Sequence, residues 1–197
     1  METTDKISNE QESLQIIQDM INSAKNRISD NGFHYLLWGW LVLIAALSQY
    51  VLIVYIPSEF NYLPWVILMP LGGIVAGIVS SKQKQKRKVK TFVNKFLSYL
   101  WLALGFSLFI IIFLMFRFSI TFAYPVIIIL YGIGLFVSGC ALGFRPLVIG
   151  GISCFVISIV TAFFNFEVQL LLISLAVLVG YIIPGYILKS RFKNETV

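Results

Sequence analysis

Along the chain, six long apolar runs alternate with short polar breaks. The runs cover 33–56, 62–80, 96–116, 120–144, 147–164 and 168–188. About 20 mostly apolar residues carry a helix across a hydrocarbon core of roughly 30 Å, and no run holds a charge near its middle. The runs are apolar all round rather than alternating residue by residue, which excludes the strands of a membrane β-barrel. The pattern predicts an all-α polytopic membrane protein: a six-transmembrane-helix bundle with an N-terminal amphipathic cytoplasmic helix. The last two runs are parted only by Asn165, Phe166 and Glu167. One uninterrupted apolar stretch is the alternative there, and the Asn and Glu favour a tight helical hairpin.

The polar head, 1–32, reads as one helix outside the membrane. Ser8 followed by Gln11 is a capping-box pattern. Glu10 and Glu12 suit the positive end of the helix dipole, and Lys25 and Arg27 the negative end. Asn31 and Gly32 form a stop signal. Leu14, Ile17, Ile21, Ala24 and Ile28 follow a 3-4-3-4 spacing that makes one narrow apolar stripe. That stripe either rests on the bundle's own loops or serves as a dimerising or partner-binding face. The bundle itself occupies 33–188, and a basic tail 189–197 closes the chain.

Composition confirms the solvent. Of 197 residues, 58% are hydrophobic and 12% charged, against about 25% charged in an ordinary soluble domain. A soluble fold of this size buries only about 70% of its surface, too little to hide so much apolar area. A soluble enzyme, a nucleic-acid-binding domain and a disordered tail are excluded as descriptions of the whole chain.

Charge then orients it. Fourteen of the fifteen Lys and Arg residues fall on one side of the predicted membrane, and Arg117 alone falls on the other. Lys and Arg accumulate in cytoplasmic loops, so both termini are expected in the cytoplasm. Residues 1–32 hold no signal peptide, and the first run is too long for a cleaved one. The run Lys82, Lys84, Lys86, Arg87, Lys88 and Lys90 reads as a topology anchor on anionic lipid headgroups, each worth about 1 kcal/mol. Docking of the acidic N-terminal helix is the next reading. No nucleic-acid partner is expected of so short and tethered a loop without interleaved aromatics.

Small residues mark where membrane helices approach closely. Such faces are expected at Gly39 and Ala46, at Gly73 and Gly77, at Gly132, Gly139 and Gly143, and at Gly151, Cys154, Ser158 and Ala162. The third run, rich in Phe106, Phe109, Phe113 and Phe116, is expected to face lipid. Tyr35-Leu-Leu-Trp38 and Ser98-Tyr-Leu-Trp101 echo one another and hint at a repeated two-helix hairpin. In the sixth run, Pro184 offers no N–H and collides with the carbonyl four residues earlier, that of Gly180. A kink at Gly180, Pro184 and Gly185 follows, serving packing or acting as a hinge. Pro70, followed by Gly72 and Gly73, predicts a similar break in the second run.

Candidate chemistry is scarce. Ionisable side chains at membrane depth mark ion and proton paths, and the runs contain none. The one histidine, His34, reads as an interfacial polar tip. Neither GxSxG nor HExxH occurs, and Cys140 and Cys154 read as small packing residues. No catalytic residue, cofactor or metal site is expected. Ser48, Gln49, Ser107, Ser138, Ser153, Ser158, Thr161 and Ser174 are the polar groups at depth. They either join helices or line a neutral path. Two functions follow: a non-enzymatic scaffold or regulatory protein that meets itself or a cytoplasmic partner through its cytoplasmic face, or a transporter or channel for a small neutral or weakly polar solute.

Three stretches carry a resemblance: Phe33-His-Tyr-Leu-Leu-Trp-Gly-Trp40 after an acidic helix, Gly143-Phe-Arg-Pro146 before Gly150-Gly151, and Gly180-Tyr-Ile-Ile-Pro-Gly185. Together the chain resembles a family of small uncharacterised bacterial inner-membrane proteins with six transmembrane helices, from about residue 12 onward. The resemblance implies a multi-pass protein of the bacterial inner (plasma) membrane. It implies no activity and carries over no functional residue.

Overall fold

The computed structural model describes residues 32–56, 59–86, 92–115, 117 and 120–195. The stripe Leu14, Ile17, Ile21, Ala24 and Ile28 lies outside the described residues, as do Arg87, Lys88 and Lys90. Among the described residues all regular structure is helical: α1 (Phe33–Val54), α2 (Leu63–Lys86), α3 (Phe92–Met115), α4 (Ile120–Leu142), α5 (Arg145–Thr161), α6 (Phe166–Val177), a π-helical turn (Leu178–Ile182) and α7 (Ile183–Glu195). Five stretches are long and apolar enough to cross a membrane: α1, α4, Leu63–Lys82 of α2, Lys95–Met115 of α3, and Phe166–Arg191, which runs through the π turn. The sixth, α5, has 17 residues, about 25 Å at 1.5 Å per residue. The chain is a multi-pass membrane protein folded as an all-α bundle.

Helix ends follow local chemistry. α6 restarts at Phe166 with Glu167 in its first turn, where a carboxylate meets the positive end of the dipole. α5 opens with Pro in its first turn, where the missing N–H costs nothing. Gly143 connects α4 to α5 with φ of 65°, a left-handed conformation that glycine adopts without a side-chain penalty. Gly143 therefore makes the turn and is no part of a packing face. Nothing lies within 4 Å of a methyl built on it.

The core sits between α1, α4, α5 and the α6–π–α7 rod, around Ala45, Ala46, Ile128, Leu135, Leu147, Leu170, Ile173 and Ala176, all fully buried. α4 and α5 pair along their length, and α1 crosses the last rod. Glycines set these approaches. A methyl built on Gly151 would stand 2.9 Å from the Gly132 carbonyl oxygen, and one on Gly139 would stand 2.7 Å from the Val148 nitrogen. One on Gly150 would stand 2.9 Å from the Gly180 carbonyl oxygen.

α2 packs mainly on α1 and α3 mainly on α4, so both stand at the outside of the bundle. Phe106, Phe109 and Phe113 on α3 are exposed. So are Gly73 and Gly77 on α2, which have nothing within 4 Å of a built methyl. The expected packing face at that pair is thus open within the monomer. α2 turns Gly72 toward Leu41 of α1 instead. Pro70 lies inside α2, which is helical on both sides of it. Ala162, placed by spacing with Cys154 and Ser158, is exposed just past the end of α5.

Candidate functional site

Three groups of buried polar and aromatic side chains tie the bundle together. Two lie at the end remote from the basic run, and one lies nearer the end that carries it.

Gln49 of α1 is the hub of the first. Its Oε1 accepts from Trp65 Nε1 at 2.7 Å and from the Tyr124 hydroxyl at 3.1 Å, and its Nε2 donates to Asn61 Oδ1 at 3.4 Å. The Tyr124 ring meets Trp65 and Phe166 edge-on, with centroids 6.3 and 5.3 Å apart. One amide therefore joins α1, α2 and α4 and the segment before α2. Trp65 is thus a hydrogen-bond donor to the core.

Gln169 of α6 is the hub of the second, and spacing gave no sign of it. It is fully buried. Its Nε2 donates toward the carbonyls of Thr121 at 2.9 Å, Thr161 at 3.1 Å and Phe164 at 3.1 Å. Pro125 explains the first of these. It stands four residues after Thr121 inside α4, and proline leaves the carbonyl at i−4 without its helical donor. Gln169 replaces that donor from another helix. The Pro125 carbonyl in turn accepts from Ser158 Oγ of α5 at 2.8 Å. The signal for this pair is a proline inside an apolar run together with an unassigned amide elsewhere.

The third group surrounds the π turn. Tyr181 lies inside that turn, 3% exposed. Its ring meets those of Tyr35, Trp101 and Tyr131 with centroids 6.4, 6.3 and 5.5 Å apart, and Tyr35 meets Trp101 at 6.0 Å. Four rings thus come from α1, α3, α4 and the π turn. The two echoing motifs of the sequence meet here through Tyr35 and Trp101. In the turn, the Ile183 N–H reaches the Leu178 carbonyl, five residues back, and Pro184 offers no N–H to Gly180. The Gly180 carbonyl faces Gly150 of α5. The predicted kink residues Gly180, Pro184 and Gly185 are therefore gathered and buried, while Pro70 sits apart on α2. Two hydroxyls in this half of the bundle are buried with no hydrogen-bond partner, Tyr181 Oη and Ser138 Oγ.

No family model, curated protein or solved structure matches this chain. The site has to be read from its own chemistry.

Four further polar groups bond within their own helices. Ser107, Ser153, Thr161 and Ser174 each donate to a carbonyl four residues back in their own helix. Cys154 is buried with its thiol toward the Ala176 carbonyl at 3.7 Å, and Cys140 is exposed. Both are free thiols. Among the described residues no cluster of His, Cys, Asp or Glu is arranged to hold a metal ion. At the basic end, His34 Nε2 lies 3.4 Å from Ser80 Oγ, joining the start of α1 to the far part of α2. Arg191 of α7 stands over the Phe144 ring at 5.6 Å. Lys82 is exposed, and the backbone of α2 continues as helix through Lys84 to Lys86, so the basic run begins as a helical extension and not as a loop.

Proposed function

We propose that this protein is a non-enzymatic scaffold or regulatory interaction protein of a bacterial inner membrane, with both termini in the cytoplasm and a cytoplasmic face that meets its partners. The observation that carries the reading is the use of the interior polar groups. Gln49, Gln169 and Ser158 each bond one helix to another, a construction that holds a fixed shape. At the basic end, α2 and α7 extend beyond the apolar runs, and the His34–Ser80 and Arg191–Phe144 contacts brace the helices there. That end offers Lys82, Lys84, Lys86, Arg87, Lys88 and Lys90 to anionic headgroups, and the acidic stripe-bearing head to a second copy or a cytoplasmic protein. A path for a small neutral solute would need Gln49 and the serines on one wetted wall, whereas Gln49, Ser107, Ser153, Ser158 and Ser174 are each engaged in a hydrogen bond within or between helices.

Deletion of residues 1–30 tests the reading. Crosslinking in membranes is expected to lose the higher-mass species while the bundle stays inserted. An unchanged crosslinking pattern overturns the proposal.

A further inference from the structure

We propose that the basic ends of α5 and α7 form a surface site for one anionic phospholipid, whose phosphodiester is held between Arg145 and Arg191. The proposal rests on the chain crossing a membrane and is independent of the scaffold reading.

Each of the two helices carries an exposed apolar row that ends in an arginine. On α5, Ile149, Ile152 and Val156 follow Arg145 by 4, 7 and 11 residues, the spacing of one helix face. All three are exposed, and so is Arg145. On α7, Ile183, Ile187 and Arg191 follow one another at steps of four, and all are exposed. α5 begins at Arg145 and α7 runs toward the basic tail, so both rows reach their arginine at the same end of the bundle. The helices are neighbours in direct contact. A methyl built on Gly150 of α5 would stand 2.9 Å from the carbonyl oxygen of Gly180, in the turn that leads into α7.

Both arginines adjoin one anchor. Phe144 is 2% exposed, and its N–H donates to the Gly139 carbonyl at 2.9 Å. The Arg191 guanidinium stands over the Phe144 ring, 5.6 Å from its centroid, and Arg145 is the next residue along the chain. A guanidinium that turns its face to a ring keeps the N–H donors at its edge. No acidic residue occupies the first turn of α5. Among the described side chains the carboxylates are Glu59 and Glu167, both at the opposite end of the bundle.

Charge at the head of two aliphatic rows calls for an amphiphile. The free oxygens of a phosphodiester accept from both guanidiniums, and its two acyl chains lie along the two rows. A zwitterionic headgroup brings an ammonium for which this end offers no described carboxylate, so the site selects an anionic lipid. It differs in kind from the basic run that starts at Lys82, whose attraction to headgroups depends on the number of its charges and not on their placement.

Titration of a short-chain phosphatidylglycerol into the purified protein in a neutral detergent tests the proposal, read as the thermal midpoint. Arg145 and Arg191 are exposed, so replacing either leaves the core intact. Lys189→Ala is the control, since it removes one exposed charge from the same helix at a position about 200° round from Arg191, at 3.6 residues per turn. The proposal expects a saturable upward shift in wild type and Lys189→Ala, lost in Arg145→Ala and Arg191→Ala. Arg191→Lys keeps the charge without the fork, and its half-saturation should rise about tenfold, the effect of one charge-assisted hydrogen bond. Phosphatidylcholine of the same chain length should give no saturable shift, and neither should inorganic phosphate. Loss of the shift in Lys189→Ala as well overturns the proposal and leaves only diffuse attraction. An equal shift with phosphatidylcholine overturns it in favour of the acyl chains alone, and an equal shift with inorganic phosphate overturns a lipid as the occupant. No saturable shift in wild type overturns it outright.

Discussion

Replacing Gln169 by Leu removes a fully buried amide of nearly the same size and tests the proline-compensation argument directly. The Thr121 and Phe164 carbonyls lose their donor from Nε2. The Thr161 carbonyl keeps the Phe164 N–H at 3.2 Å. Each newly orphaned carbonyl costs about 1–3 kcal/mol, so the gross loss is about 2–6 kcal/mol. Against this, Gln169 Oε1 is itself buried without a partner, and its removal returns about 1–3 kcal/mol. The expected net loss is about 2 kcal/mol, read as the midpoint of SDS-induced unfolding of the purified protein by circular dichroism. The decisive measurement is the cycle with Pro125→Ala. An alanine at 125 restores an N–H four residues after Thr121, so its carbonyl no longer depends on Gln169. Gln169→Leu should then cost about 1 kcal/mol less in the Pro125→Ala background, a coupling typical of groups in one network. Strict additivity of the two substitutions would refute the idea that Gln169 serves the carbonyl that Pro125 frees.

Other substitutions separate the roles of chemically similar residues. Gly150→Ala places a methyl against backbone of the last rod, 2.9 Å from the Gly180 oxygen, and should lose about 1–3 kcal/mol by overpacking. Gly73→Ala and Gly77→Ala, with open space around them, should be neutral or gain up to about 1 kcal/mol from helix propensity, measured by the same midpoint. Gln49→Leu strands both Trp65 Nε1 and the Tyr124 hydroxyl and should cost about 2 kcal/mol. Tyr124→Phe, which leaves Gln49 its bond from Trp65, should cost about half as much; equal losses would deny Gln49 its place as hub. A maleimide should label one thiol per folded chain in detergent, the exposed Cys140, and two after SDS unfolding frees Cys154. Two labels in the folded state would contradict the burial of Cys154.

The spans were legible because crossing a bilayer is a one-dimensional demand: length and apolarity suffice, and both are visible residue by residue. The hairpin at Asn165 was legible for the same reason, since two polar residues between apolar runs have only one place to go. Helix partners are a different matter. Gly73 with Gly77 and Gly150 with Gly151 are all small residues within apolar runs, yet one pair faces outward and the other holds two crossings together. What distinguishes them is the rotation of each helix about its axis, and that is set by distant residues such as Leu41 against Gly72. Gln49 stood out as a polar residue at depth, whereas Gln169 escaped notice because it lies near a loop. Its role appears only when the Thr121 carbonyl is known to be beside it.

The two core prolines show how unevenly the bundle is braced. In hydrocarbon no water satisfies a freed carbonyl, so a proline inside a span has to be answered by protein. At Pro125 the answer is complete: Gln169 donates to Thr121, and Ser158 donates to the Pro125 carbonyl itself. α4 is thereby bonded to α5 and α6, and bending it breaks defined hydrogen bonds. At Pro184 the answer is geometric instead. The helix widens into a π turn, and the Gly180 carbonyl oxygen lies 2.9 Å from where a side chain on Gly150 would begin. The one hydroxyl within the turn, Tyr181 Oη, is itself unpartnered. The remote end is therefore locked by hydrogen bonds from Gln49, Gln169 and Ser158, whereas ring contacts and close-set glycines surround the turn leading into α7, with Arg191 of α7 over the Phe144 ring beyond it. Packing resists compression but yields to sliding far more readily than a set of donated bonds. The aromatic group is built at this same π turn.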